Sequence, residues 1–540
     1  MTTSSWIQIG CRTIKCVCLF EIVKISIYLL SDNKDITICL YCIRGFIDLI
    51  TKLVIMLITK RTIYIAVLSL ICFSTEVYGQ SFEEYRQRTM QQFENRRQTV
   101  RNDYEAMRAK VNKEFSDMLG REWKPSGESS FRRNPLREIP SLPSKEAPVV
   151  APKPMERECE AVVVETMSSK PEPVAEISGN PGGSMDEHRF IFYGNHISIR
   201  FDVKVRDYLE STSPSDIRKL WDRFSTVDYT NLLADYYDAR RSLELCDWAS
   251  LKLSQKVSAM VYGNDDSNES VVLQSYLLTQ CGFRTCLMLD RNNSLHLLVA
   301  ADKELIDYPS FNIDGNDMYQ VDRKDIHTGS VPQGFFNGTV PLRMSVTHPG
   351  KMENNPYKTE KGATVNRNDI DFYADYPSFF DEGNPSTAFY YLAQFSLSDD
   401  ARNTLYPYLK GKIQGMSEVE AVQTILIYFY AIFPYSEDEK VWGKERYFFP
   451  EETLYYELSD CEDRAILFTR IVRDILGLKT AVIYMPGHLS AAVKFNSEVD
   501  GDAVIANGNR FIICDPTYIN ASVGQAMPGW EKEDMEVIVL

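Results

Sequence analysis

Histidine is scarce in this chain, six in 540 residues, and none stands at metal-ligand spacing from another ligand residue. No metal site is therefore expected from the residue pattern. Long uncharged apolar runs are missing as well. Residues 62–73 fall short of the ~20 residues a membrane-spanning helix needs. Basic runs are absent, and the formal net charge is −16, which argues against nucleic acid or an anionic membrane as partner. Beyond residue 79 the cysteines are few and irregular (Cys159, Cys246, Cys281, Cys286, Cys461 and Cys514), which excludes a disulfide scaffold. One bridge among Cys246, Cys281 and Cys286 stays open. Cys16, Cys18, Cys39 and Cys42 have no histidine beside them and are read as incidental rather than as a zinc site.

Residues 56–79 have the layout of a secretory signal. Met56 is followed by the charged pair Lys60-Arg61, an apolar stretch over 62–73, and Val77-Tyr78-Gly79 ahead of Gln80. The protein is accordingly expected to be exported, to the periplasm or the cell surface, with no membrane span in the mature chain. Residues 1–55 sit upstream of a complete signal, and charges break their apolar runs. They are read as a start-site over-extension, with a pair of short membrane-associated helices as the alternative. Over 80–123 a narrow apolar stripe (Phe93, Val100, Tyr104, Met107, Val111, Phe115, Met118) marks one long amphipathic helix. Such a stripe needs a partner helix or a second protomer, so self-association through 82–122 stands beside a solvated spacer. Prolines from Pro125 to Pro154 make 124–187 a Pro-rich linker.

From residue 188 the pattern is that of a globular protein. A hairpin is expected over 190–201, turning at Gly194-Asn195. Helices follow over 206–261, with Trp221, Leu232, Leu233, Trp248 and Leu251 as core. A helix over 268–281 then leads into strands 285–289, 295–300 and 303–306. Residues 346–370 read as a connection, and 371–540 as a second domain. In that domain Ser417 and Glu420 form a capping box, and the aromatic loop 435–456 is a candidate substrate cleft.

The chemistry concentrates after that loop. Ala465, Phe468, Val472, Ile475 and Leu476 recur at helical spacing, so Cys461 opens a helix. Ser459 and Glu462 have capping-box spacing, with Ser459 as N-cap. A helix N-terminus favours a thiolate, while Asp460, Glu462 and Asp463 oppose it. Gly477 ends the helix; strands over 480–485 and 487–493 follow, with His488 opening the second. A third strand, 510–514, runs into Asp515. A cysteine, a histidine and a carboxylate in this order form a nucleophile, a base and its orienting group. Singly, each has a plainer account: a small buried residue, a structural histidine, a turn aspartate.

The blocks Cys461-Glu462-Asp463-Arg464-Ala465, Gly487-His488 and Cys514-Asp515-Pro516-Thr517-Tyr518 resemble the transglutaminase-like (papain-like thiol) superfamily over about residues 400–525. The likeness is nearest to its exported Bacteroides-type members. It implies an α+β fold with a papain-like/transglutaminase-like core, a helix packed on an antiparallel sheet. It also implies catalysis by Cys461, His488 and Asp515, with a side chain from the preceding loop completing the oxyanion hole. Trp442 is the first choice for that role and Gln423 the second. The expected activity is acyl transfer or hydrolysis at protein or peptide amides, without a cofactor. The alternative is a non-catalytic binding or assembly protein on the same scaffold.

The helix–glycine–strands–aspartate order occurs twice. Laying Gly282 on Gly477, Leu273 on Leu467 and Asp307 on Asp515 puts Ser267 or Asp266 at the cysteine position. Ser294 then falls at the histidine position, with His296 two residues later. Residues 188–345 are therefore read as a degenerate copy without a nucleophile; chance similarity of helix-plus-hairpin units is the plainer account.

Overall fold

Helix Cys461–Leu476 ends at Gly477, whose φ of 68° is the left-handed conformation that glycine adopts without penalty. Ala465, Ile466, Leu467, Phe468, Ile471 and Val472 are all fully buried. They pack on strands Lys479–Met485 and His488–Lys494 and on helices Thr387–Gln394, Glu418–Ile432 and Pro450–Tyr455. Truncating one such side chain, Phe468 for example, typically costs about 3–5 kcal/mol. These elements belong to a computed structural model that describes residues 85–92, 95–96, 106, 109–131, 147, 153–164, 169–179, 186–322 and 326–540. The 1–55 extension and the 56–79 signal segment lie outside the described residues. Among those described, no helix is long and apolar enough to cross a membrane.

The fold is α+β, with two larger sheets among the described residues. The second sheet has the order Glu536–Val539, Lys479–Met485, His488–Lys494, Asn509–Ile513, Ala503–Ala506, Glu156–Glu158. Its hairpin 479–494 closes on the pair Met485–His488. Successive strand residues face opposite ways. Val482, Leu489, Ala491 and Val493 meet the helix-side core, and Ala481, Ile483, Ala492 and Phe511 form a separate inner cluster. Cys514 belongs to the helix-side core. The first sheet runs Lys124–Pro125, Ser330–Val331, Thr285–Leu289, Leu295–Ala300, Asn316–Gln320, Pro309–Ile313, Ser130–Phe131, with helix Asn268–Gln280 on Thr285–Leu289 and Leu295–Ala300. In both sheets the four central strands are two hairpins in the same order, preceded by one helix.

Both sheets curl, and a short earlier segment reaches the two edges of each. Residues 124–125 pair with Ser330–Val331, and 130–131 with Pro309–Ile313. In the second sheet Glu156–Glu158 pairs in parallel with Ala503–Ala506, while Ala161 bridges Val537 on the far edge. The segment read as a Pro-rich linker is thus, where described, a clasp for both sheets. Proline on an edge strand loses no ladder hydrogen bond, which reconciles the composition with the structure.

Other expectations are adjusted. The C-terminal end of the long helix is docked: Phe115 lies 4.5 Å from the Trp221 ring, and Asn112 accepts from Gln280. The hairpin turns at Tyr193-Gly194, both at positive φ, one residue earlier than expected. A Cβ at Gly194 would meet Asn368 at 2.2 Å. The strand expected over 303–306 is Glu304–Leu305, and it pairs with Phe379–Phe380 across the expected domain connection. Trp248 likewise donates to the Asp375 carbonyl. Residues 102–540 form one compact unit, so the two sheets are not separate bodies. Cys246, Cys281 and Cys286 are free thiols, so the bridge considered among them does not form.

Helix Pro450–Tyr455 lies against helices Cys461–Leu476 and Arg367–Asp375 and carries a titratable liability. Glu451 is buried and accepts from Ser398 Oγ, yet burial pushes its carboxyl up to about 7. A folded-state pKa above the unfolded value gives stability that is complete at low pH and lost as pH rises through the folded value. The melting temperature should therefore fall between about pH 5 and 8. Glu451→Gln should recover about 3 kcal/mol of the loss at the alkaline end, as measured by thermal denaturation across that range.

Candidate active site

Cys461 is the first residue of its helix, so its own N–H has no helical acceptor. The N-cap is Asp460 rather than Ser459, and the carboxylate of Asp463 accepts from the Asp460 N–H at 3.3 Å. Both Ser-x-x-Glu and Asp-x-x-Asp fit a capping box. Ser459 is withdrawn from that role because its hydroxyl accepts from the buried Arg464 side chain. The Cys461 sulfur accepts from the backbone N–H of Leu489 at 3.5 Å. That contact brings the helix start beside the first residues of strand His488–Lys494.

His488 Nε2 lies 2.7 Å from Asp515 Oδ2, with both side chains almost wholly buried. The other Asp515 oxygen accepts from the N–H groups of Thr517 and Tyr518 at 2.8 and 3.3 Å. Burial alone would raise the Asp515 carboxyl, but His488 and those two donors hold it below its ordinary value. A carboxylate only accepts, so the proton on this edge of the ring belongs to Nε2. The neutral imidazole then presents a lone pair at Nδ1, a buried atom without a hydrogen-bond partner. Of the three residues chosen from sequence, His488 and Asp515 are in direct contact, and Cys461 meets the strand at Leu489, the residue after His488.

The thiol is not activated in this arrangement. Cys461 is 2% exposed, its Sγ donates to Glu462 Oε2 at 3.0 Å, and burial, then Glu462 and Asp460, push its pKa well up. Burial, and after it the two neighbouring carboxylates, thus oppose the helix dipole. The same crowding raises Asp463 and lifts Asp438 to about 8, burial being the larger cause in each.

Trp442 and Gln423 are engaged elsewhere. The Trp442 ring meets Phe448 and Tyr456 edge to face and carries the Arg446 guanidinium at 4.4 Å. Gln423 donates to Ala521 O and accepts from Val523 N, pinning the loop that follows Asp515 instead of facing an oxyanion. Tyr430 adds a bond to the Asp515 carbonyl. The aromatic loop 435–456 contains two short helices, Asp438–Trp442 and Pro450–Tyr455. Its residues Glu445, Arg446, Tyr447 and Phe449 line a cavity of about 500 Å³ together with Tyr308 and Asp322 from the first sheet.

In the first sheet His296 Nδ1 lies 2.5 Å from Asp322 Oδ2, so the aspartate that matches Asp515 is Asp322, two residues past its strand, and not Asp307. The pairings Leu298–Gln320 and Ala492–Ile513 set His296 opposite Asp322 and Ser490 opposite Asp515. The histidine of the first sheet therefore stands one pleat deeper on the same face. Asn268 Oδ1 accepts from Leu295 N at 2.7 Å, the contact that Cys461 makes with Leu489. Asn268, rather than Ser267 or Asp266, holds the cysteine position, and Ser267 is the N-cap. A search for aspartate at a fixed offset from the strand end would have found Asp322. Asn268 needed the side-chain contact.

Because Glu462 accepts the thiol proton and adds negative charge beside it, Glu462→Gln should speed alkylation of Cys461 at pH 7 several-fold and shift the rate–pH profile toward lower pH. Mass-spectrometric counting of labelled Cys461 over pH 6–10 reads both effects. No protein-family model matches this chain, and no curated protein matches it.

Proposed function

We propose that the protein is an exported thiol acyltransferase or amidase of transglutaminase-like, papain-like type, in which Cys461, His488 and Asp515 act on protein or peptide amides. The observation that carries this reading is the buried His488–Asp515 pair with an unpartnered Nδ1, beside a cysteine at a helix start. In the reaction His488 takes the thiol proton as Sγ bonds to the amide carbonyl carbon. The tetrahedral oxyanion is met by backbone N–H groups at the helix start. Collapse breaks the C–N bond, and the imidazolium returns the proton to the leaving amine. Water or a second amine then attacks the thioester and frees the thiol. Asp515 holds the ring tautomer throughout. The repeated helix-and-hairpins arrangement, with Asn268 in the nucleophile's place, favours a first domain that is a degenerate copy serving to shape the substrate cleft. The cavity of about 500 Å³ has none of Cys461, His488 and Asp515 in its lining and does not bear on this reading.

A second reading rests on the enclosure of Cys461, where burial and the neighbouring carboxylates push its thiol pKa up: a binding or assembly protein that keeps the scaffold without turnover. Incubation of the full chain with glutamine-containing peptides and a biotinylated primary amine separates the two, with amine incorporation, ammonia release and peptide cleavage as readouts. The enzyme predicts turnover that Cys461→Ala abolishes and Asp515→Asn lowers on the order of 10³-fold or more, both variants remaining folded. Absence of turnover in the wild type, with Cys461 alkylation unchanged by His488→Ala, selects the binding protein.

A further inference from the structure

Four carboxylates from separate stretches converge beside Cys461. Asp438 comes from the start of helix Asp438–Trp442, and Glu445 from the loop after it. Asp460 and Glu462 flank the cysteine. One oxygen from each lies within 4.8 Å of the other three. Oxygen ligands of a hard cation sit about 2.3–2.6 Å from it, so any two lie no more than about 5 Å apart. All four oxygens are therefore close enough together to share a single ion.

The nearby guanidinium groups are committed to other acceptors. Arg464 donates to Phe433 O and Ser459 Oγ, and Arg446 to Glu452 and the Tyr456 hydroxyl. Within the cluster Asp438 accepts from the Arg446 N–H, and Glu462 from the Cys461 thiol. A second observation points to a ligand. Asp460 is 2% exposed, and its Oδ1 has no hydrogen-bond partner. A buried carboxylate oxygen without a donor is costly, and the other members of the cluster present further acceptors. The Asp460 and Glu462 side chains are in hydrogen-bond contact with each other, and a cation among the four would supply the partner that Asp460 Oδ1 lacks.

We infer that Asp438, Glu445, Asp460 and Glu462 form a binding site for one hard divalent cation of the calcium class. The donor set is all oxygen, with no imidazole, and it is drawn from a loop, a short helix and a helix start. An irregular carboxylate cage of this kind suits calcium, which tolerates six to eight ligands in variable geometry, better than the strict octahedron of magnesium. The inference does not depend on acyl transfer, since cation binding is read without turnover.

The test uses the full chain after chelator treatment, with calcium chloride alone as probe in calorimetric titration and thermal denaturation near pH 7.5. One bound equivalent is expected, with an affinity between about 1 μM and 1 mM and a raised melting temperature. Glu445 is only partly buried, so Glu445→Gln leaves the fold intact and should weaken calcium binding tenfold or more. Glu462→Gln should do the same, while Glu439→Gln, at an exposed neighbouring position, should leave it unchanged. The inference is overturned by an absence of binding heat and of a thermal shift up to about 10 mM calcium. It is overturned equally by calcium binding that both glutamine variants leave intact, or by preferential zinc binding that Cys461→Ala removes.

Discussion

Taking the first turn of one helix out of water is the constraint on which the second half of the molecule depends. Asp460, Cys461, Glu462, Asp463 and Arg464 are all at most 6% exposed, and buried charge is tolerated only where it finds partners. Asp463 accepts from Phe448 N and Asp460 N. Arg464 reaches back to Phe433 O and to Ser459. Those contacts fold the 433–459 segment over the helix start. Arg446, stacked among Trp442, Phe448 and Tyr456, then fixes the shape of the cover. The aromatic loop is therefore ordered from beneath by electrostatics and from within by ring packing.

The same burial explains why the two ends of the site differ electrically. Asp515 escapes its desolvation penalty because a ring nitrogen and two backbone donors converge on it. Cys461 has one weak donor, Leu489 N, set against two neighbouring carboxylates. On the proposed reading the base is thus set up in the folded state, whereas the nucleophile is not. Under the proposed reading, ionising the sulfur falls to whatever changes the charge or the solvation around Glu462 and Asp460.

Much of this site was legible in the sequence because its chemistry sits at element ends, which periodicity locates well. Cys461 at a helix start, His488 at a strand start and Asp515 just past a strand end follow from where the apolar pattern begins and stops. Details that depend on side-chain geometry were not legible. Two overlapping capping patterns at residues 459–463 differ only in which side chain the fold calls elsewhere. The strands Pro309–Ile313 and Asn316–Gln320 were not read from the sequence, so the aspartate after the short strand 303–306 was paired in place of Asp322. The four converging carboxylates come from positions up to 24 residues apart, beyond any local motif. Composition also misled in one place. Proline density over 124–157 was read as a stiff linker, whereas its described parts pair with sheet edges, because edge pairing leaves no periodic signal.

That destination has a consequence for how the molecule is made. The clasps of both sheets leave the ribosome before any strand they will hold, and Arg510 meets Glu156 across 354 residues of chain. The strand Glu536–Val539, which Ala161 must find, is synthesised long after that clasp. Neither sheet can close in the order of translation, since each clasp waits for strands far downstream of it. The interleaving also means that no single cut through the chain yields two self-sufficient halves: the two sheets share one thread and are inherited together.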